Sequence, residues 1–149
     1  MKIILFLSLL IWVIPGFGKV KIQKPRSQHV TAFAIIVDEM TLEKTGGAVE
    51  AYRDALEADG LSTYIVSGNW KNPDEVKAEI IKLNKRKPVL EGVVFIGDIP
   101  VALIRNAQHM TTAFKMNEDE FPFPESSVPS DRFYDDLHLT FDFICQDSV

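Results

Sequence analysis

The sequence predicts a doubly wound α/β domain built on a parallel sheet, and three observations carry that prediction. Residues 91–100 (EGVVFIGDIP) hold four apolar residues, Val93 to Ile96, without a polar interruption, as in a strand covered on both faces. The run stops at Gly97-Asp98. There a glycine permits a sharp turn and a carboxylate arrives at the strand's carboxyl end, the edge where open α/β sheets gather ligands. Two earlier apolar runs are each followed by a helix-period segment, so strands and helices alternate.

Taken in order, residues 19–30 form a short polar lead-in, and residues 31–37 (TAFAIIV) form the first strand, ending at Asp38-Glu39. Residues 41–47 read as a turn-like stretch, after which a helix runs to about Asp59. Val49, Tyr52 and Leu56 share its inner face, and Gly60 stands where a left-handed cap belongs. The second strand, 61–66 (LSTYIV), closes at Ser67-Gly68. Asn72-Pro73-Asp74-Glu75 is a helix start: Asn72 caps, Pro73 suits the first helical position, and Glu75 can return a hydrogen bond. Val76, Ile80 and Leu83 then face inward, Lys77, Glu79 and Lys82 outward, and Pro88 ends the helix ahead of the third strand.

Right-handed crossovers give these strands the order 2-1-3, with Ile35, Ile65 and Phe95 side by side and the sheet extended beyond the third strand. A short helix is expected over 101–107. Residues 108–129 read as a long irregular segment, broken by Pro122, Pro124 and Pro129, of the kind that is usually functional. Residues 139–144 (LTFDFI) alternate as a fourth strand. The polar ending Gln146-Asp147-Ser148-Val149 adds no further element, so the sheet is expected to be incomplete at that end, with an edge prone to pairing.

With 149 residues, 46% hydrophobic and 25% charged, the chain suits one globular domain with a real core. The net charge of −5 and the lack of a basic stripe argue against nucleic acid as partner. Lys82, Lys85, Arg86 and Lys87 cluster, but at a helix end, where cations complement the dipole. Residues 1–18 read as a secretory signal peptide: Lys2, an apolar run from Ile3 to Val13, then Pro15-Gly16-Phe17-Gly18 with small residues before the cut. The run is shorter than the ~20 residues of a membrane span, so no span is expected after cleavage, and residues 19–149 form the exported domain. A single cysteine, Cys145, excludes an internal disulfide and a Cys-rich metal site.

Three segments together resemble the gingipain-like cysteine peptidases: 59–66 (DGLSTYIV), Gly97-Asp98-Ile99-Pro100, and Pro129-Ser130-Asp131-Arg132-Phe133-Tyr134. The likeness covers most of residues 31–144. It implies a three-layer, caspase-like or Rossmann-like parallel sheet, and it matches the amino-terminal, non-catalytic α/β subdomain of that family. The His-Gly segment and the nucleophilic cysteine of the family lie in a following unit, which would be this chain's partner, with a peptide or protein as substrate. No His-Gly dipeptide occurs here, since His29, His109 and His138 precede Val, Met and Leu. The resemblance therefore assigns no catalytic and no cofactor-binding residue to this chain, which is expected to be inactive alone.

The residues themselves agree. A thiolate nucleophile needs a base within hydrogen-bond reach. His138 and Cys145 on one extended strand would stand roughly 23 Å apart at ~3.3 Å per residue, and nothing in the sequence positions His109. A lone cysteine near a strand end is usually a small buried hydrophobe. Asp38, Glu39 and Asp98 are expected at one sheet edge, superficially like the acidic trio with which a phosphoacceptor receiver holds Mg²⁺. Export and the long spacing of these acids oppose that reading, and Asp98 is expected to cap the next turn. Glu118, Asp119, Glu120, Asp131, Asp135 and Asp136 surround the long loop. Calcium is the metal such a loop would take, although the spacing matches no EF-hand and solvated charge is the plainer reading. Phe121, Phe123, Phe133, Tyr134, Phe141 and Phe143 supply either core and loop anchors or a docking surface. Two further readings follow: a non-enzymatic exported binding or surface module, and, third, the receiver-like domain.

Overall fold

The computed structural model describes residues 20–105, 119–121 and 125–146. The signal-peptide segment, His109 and most of the long loop lie outside the described residues. Three strands, β2 (Thr31–Asp38), β3 (Leu61–Gly68) and β4 (Val89–Ile96), run parallel in the spatial order β3-β2-β4. They are joined by α1 (Glu39–Ala58) and α2 (Pro73–Asn84). This is the expected 2-1-3 order.

The sheet divides the core in two. Ala32, Ala34, Ile36, Tyr64 and Val66 point to one side, against Val76, Ile80 and Leu83 of α2. Ile35, Val37 and Ile65 point to the other, against Val49, with Leu42 and Leu56 of α1 alongside. Alternation along each strand thus feeds two helical layers. Each fully buried aliphatic side chain contributes about 1.5–3 kcal/mol. Among the described residues no helix is long and apolar enough to cross a membrane.

Several elements depart from expectation. The lead-in is not merely polar: β1 (Lys21–Gln23) pairs antiparallel with β3, Lys21 opposite Ser67, and makes the four-stranded sheet mixed. The sheet is therefore extended beside the second strand of the parallel set, while β4 stands at the opposite edge. A three-residue strand with only Ile22 turned inward is too short to announce itself by periodicity. Being an edge strand, β4 packs on both faces, yet Val93 to Ile96 are only half-buried.

Its register also shifts. Ala32 pairs with Leu90 and Phe33 with Gly92, leaving Glu91 as an extra residue. Ile35 consequently lies between Ile65 and Val94, and Phe95 pairs with Ile36 on the other face.

Helix α1 begins at Glu39, so residues 41–47 are helical rather than turn-like. A kink marks Thr45 (φ −124°, ψ 15°), whose hydroxyl donates to the Thr41 carbonyl at 2.7 Å, the back-bonding that bends helices. Tyr52 is 40% exposed, and Arg53 and Glu57 take the buried places, because the lead-in folds back onto this face. Arg53 Nη1 donates to Gln23 Oε1 at 3.1 Å.

The cap of α2 is as expected, while the return bond to Glu75 comes from Lys71 rather than from the cap residue. Asn72 Oδ1 accepts from Glu75 N–H at 3.0 Å, and Glu75 Oε2 accepts from Lys71 N–H at 3.0 Å. Glu79, expected outward, is buried and takes a hydrogen bond from Lys82 Nζ at 2.6 Å.

After the sheet, residues 103–104 are not helical. β5 (Leu103–Ile104) pairs antiparallel with β6 (Val128–Pro129), and α3 (Arg132–Asp135) follows. Residues 106 and 107 of the expected helix lie outside the described residues. Nor is there a strand over 139–144, which is irregular, with Leu139, Phe143 and Ile144 exposed. Alternation becomes a strand only where a ladder partner is in reach. This segment is held by side chains instead: Phe141 lies 5.2 Å from Phe133, and Lys77 Nζ sits 4.4 and 4.6 Å from the two ring centroids.

Lys77, expected to point into solvent, is thus a cationic staple, and burial lowers its pKa despite the nearby Asp136, Asp74 and Asp135. A double-mutant cycle of Lys77→Ala with Phe141→Leu, read by urea unfolding, is expected to show a coupling of about 0.5–1 kcal/mol. Simple additivity would dismiss the staple.

Candidate functional site

Three strand ends meet at the carboxyl edge of the sheet, and Asp38, at the end of β2, ties the start of α1 to the turn after β4. Asp38 is 9% exposed. Oδ1 accepts from Thr41 N–H at 2.8 Å, capping α1. Oδ2 accepts from Asp98 N–H at 2.8 Å, tying down the turn after β4. Gly97 makes this possible. Its φ is +87°, and a Cβ built there would stand 1.9 Å from Asp38 Oδ2 and 2.4 Å from Thr41 Oγ1.

Burial works to raise the Asp38 pKa, but the Thr41 hydroxyl and the N–H groups of Thr41 and Asp98 together outweigh it and hold the carboxyl below its usual range. The expected roles are thereby exchanged: Asp98 is exposed and supplies its backbone, while Asp38 does the capping. Glu39, the third acid of this edge, is paired with Lys21. Both oxygens of Asp38 are engaged by amides, so the receiver-like trio is not assembled in this geometry.

The remaining acids have separate tasks. Asp135 lies 3.8 Å from Arg132, and Asp136 Oδ1 accepts from the N–H groups of His138 and Leu139 at 3.1 and 3.2 Å. Glu118 is outside the described residues, and Asp119, Glu120 and Asp131 are exposed. Among the described residues no three His, Cys, Asp or Glu side chains converge as a metal site. Cys145 is exposed rather than buried, and the strand expected to end beside it does not form.

Beside the Gly97 turn, a groove of about 510 Å³ runs between the end of β4 and the segment that enters α3. Two of the three segments singled out in the sequence meet here. Ser130 N–H donates to the Ala102 carbonyl at 2.9 Å, and the Tyr134 hydroxyl donates to the Pro100 carbonyl. The Tyr134 ring packs 4.8 Å from Phe95 and 5.2 Å, edge-on, from Phe133. The third segment, at the start of β3, is separated from these by β2.

Burial, with Asp74 nearby, pushes the Tyr134 pKa up to about 12, so its hydroxyl stays protonated and structural at neutral pH. The groove has apolar walls from Phe95, Ile99, Pro100 and Val101, with Ser130 and Asp131 at the polar side.

One polar cluster gave no signal in the sequence. Glu57, buried near the end of α1, accepts from Arg26 N–H (2.9 Å), Ser27 N–H (2.9 Å) and the Ser27 hydroxyl (2.8 Å). The same hydroxyl lies 3.0 Å from His29 Nε2. In a catalytic triad the carboxylate orients the imidazole and the imidazole takes the serine proton. Here the serine hydroxyl donates its hydrogen bond to the carboxylate, which also accepts two lead-in N–H groups, so the cluster fastens the lead-in. The partners are about thirty residues apart in sequence, beyond any motif. Among known proteins, no family model, no curated protein and no solved structure matches this chain.

Proposed function

We propose that the chain is the amino-terminal, non-catalytic α/β subdomain of an exported protein similar to the gingipain-like cysteine peptidases. Its role is to carry a following catalytic unit, with residues 108–129 assigned to the substrate cleft. The supporting observation is β4. It is eight residues long, with Glu91 its one charge and neither lysine nor proline inside it, and among the described residues its outer edge has no ladder partner. Native proteins blunt, cover or pair such an edge. A strand from a following unit would complete it, next to the groove at Gly97 and Tyr134. The caspase-like character of the sheet, the leader cut after Gly18 and a peptide substrate belong to this same reading.

The test is the coding sequence past Val149, together with an assay. A His-Gly segment and a cysteine behind further apolar strands would support the proposal, and a stop codon at once would overturn it. The chain alone is expected to show no thiol-dependent proteolysis. Cleavage abolished by Cys145→Ser would contradict that. Amino-terminal sequencing of the secreted product is expected to begin at Lys19.

A second reading, a non-enzymatic exported binding or surface module, is favoured by the groove itself, whose walls suit a ligand rather than a reaction. It predicts a stable monomer with no catalytic unit encoded downstream.

A further inference from the structure

A second hollow, of about 530 Å³, lies at the opposite, amino end of the sheet. Lys24, Arg86 and Lys87 line it together with Tyr64, Pro25 and Pro88, and no acidic residue does. Lys24 comes from the lead-in and the other two cations from the turn after α2, so the fold joins charges more than sixty positions apart. This arrangement is unusual in a chain of net charge −5. Several cations elsewhere meet acids: Arg26 with Glu50 and Asp54, Lys21 with Glu39, Lys82 with Glu79, Arg132 with Asp135. No ion pair joins Lys24, Arg86 or Lys87 to an acid among the described residues.

Holding three like charges around one hollow costs free energy that an anion would recover. A guanidinium supplies a fork of donors and the two ammonium groups supply point charges, the mixture that suits a tetrahedral oxyanion. The hollow is several times larger than one oxyanion and falls in the range of small-molecule sites. Pro25 and Pro88 offer rigid, apolar walls for the rest of a ligand, and the largely buried Tyr64 closes the hollow between them. Ser62 at the floor is fully buried and already bonded, its oxygen accepting from His29 N–H at 2.7 Å, so it shapes the hollow and leaves recognition to the cations.

We propose that this hollow binds a small molecule carrying a phosphate or sulfate group, held by Lys24, Arg86 and Lys87 with its body against Tyr64. A single concave site in an acidic body, rather than a basic stripe, favours a small ligand over an extended polyanion. The inference is independent of the peptidase-like reading.

The test is calorimetric titration of the full chain with inorganic phosphate and, separately, sodium sulfate, with sodium acetate at matched ionic strength as reference. Saturable one-to-one binding of phosphate or sulfate, at least tenfold tighter than acetate, is expected. Whichever of the two binds more tightly identifies the head group. The triple variant Lys24→Gln, Arg86→Gln, Lys87→Gln should weaken it at least tenfold, and Lys87→Gln alone severalfold. Lys44→Gln, an exposed cation on α1, should leave it unchanged. All are exposed positions, so circular dichroism should show native folding. Absence of saturation, equal binding of acetate, or unchanged affinity in the triple variant would overturn the proposal.

Discussion

Gly97→Ala is expected to destabilise the chain by about 3–4 kcal/mol, a large share of what a domain of this size possesses. Two costs combine. An alanine forced to φ near +87° pays about 1–2 kcal/mol for the left-handed conformation. Its Cβ would also enter the space held by Asp38 Oδ2 and the Thr41 hydroxyl. Either the turn moves away or the carboxylate does, and moving the carboxylate gives up the α1 cap, worth about 1 kcal/mol, and the bond to Asp98 N–H.

Gly60→Ala is the matched comparison. Its φ is +93°, yet nothing stands within 4 Å of the added carbon, so only the conformational cost of about 1–2 kcal/mol remains. Urea unfolding of the two variants separates strain from collision. Equal losses would mean that the strand ends are not clamped through Asp38. In an Asp38→Gly background the Gly97→Ala penalty should shrink, leaving the smaller collision with Thr41.

Which features could be read in advance follows from how far apart the interacting residues lie. Asn72-Pro73-Asp74-Glu75 was legible because a cap is made by residues three apart, and Gly60 because a left-handed cap is local. The 2-1-3 order followed from the handedness of crossovers. The start of α1 was within reach too, since Asp38 stands three residues before Thr41, yet residues 41–47 read as a turn-like stretch.

What stayed hidden depends on tertiary neighbours. The extra residue at Glu91 arises where the Phe33 ring covers Gly92, 2.8 Å from where a Cβ would be. The alternation over 139–144 was genuine but found no strand to pair with. At the candidate site the Gly97-Asp98 turn was located correctly, while the exchange of roles between Asp98 and Asp38 required contacts sixty residues apart.

The second large effect concerns acid. Burial works to raise the Glu57 pKa, but hydrogen bonds from the Ser27 hydroxyl and from the N–H groups of Arg26, Ser27 and Thr63 outweigh it and hold it below its usual range. A carboxylate depressed in the folded state contributes stability that is present above its unfolded pKa. That stability is lost as pH falls through the folded value. Asp38 is depressed in the same way, so the chain is expected to lose stability progressively as pH drops below about 4.

Glu57→Gln tests the larger cluster. An amide offers one acceptor oxygen where the carboxylate offers two, and several backbone N–H groups and a hydroxyl compete for it. A loss of about 2 kcal/mol is expected at pH 7. The gap to the parent should close as pH falls, because protonated Glu57 and glutamine then make similar bonds. A gap that does not change with pH would show that the charge of Glu57 contributes nothing. The consequence extends past stability: Arg26 and Ser27 lie between Pro25 and Gln28, both of which line the cation-bearing hollow. Loosening the lead-in at Glu57 should therefore also withdraw Lys24 from Arg86 and Lys87, and weaken phosphate or sulfate binding without touching a residue of the hollow.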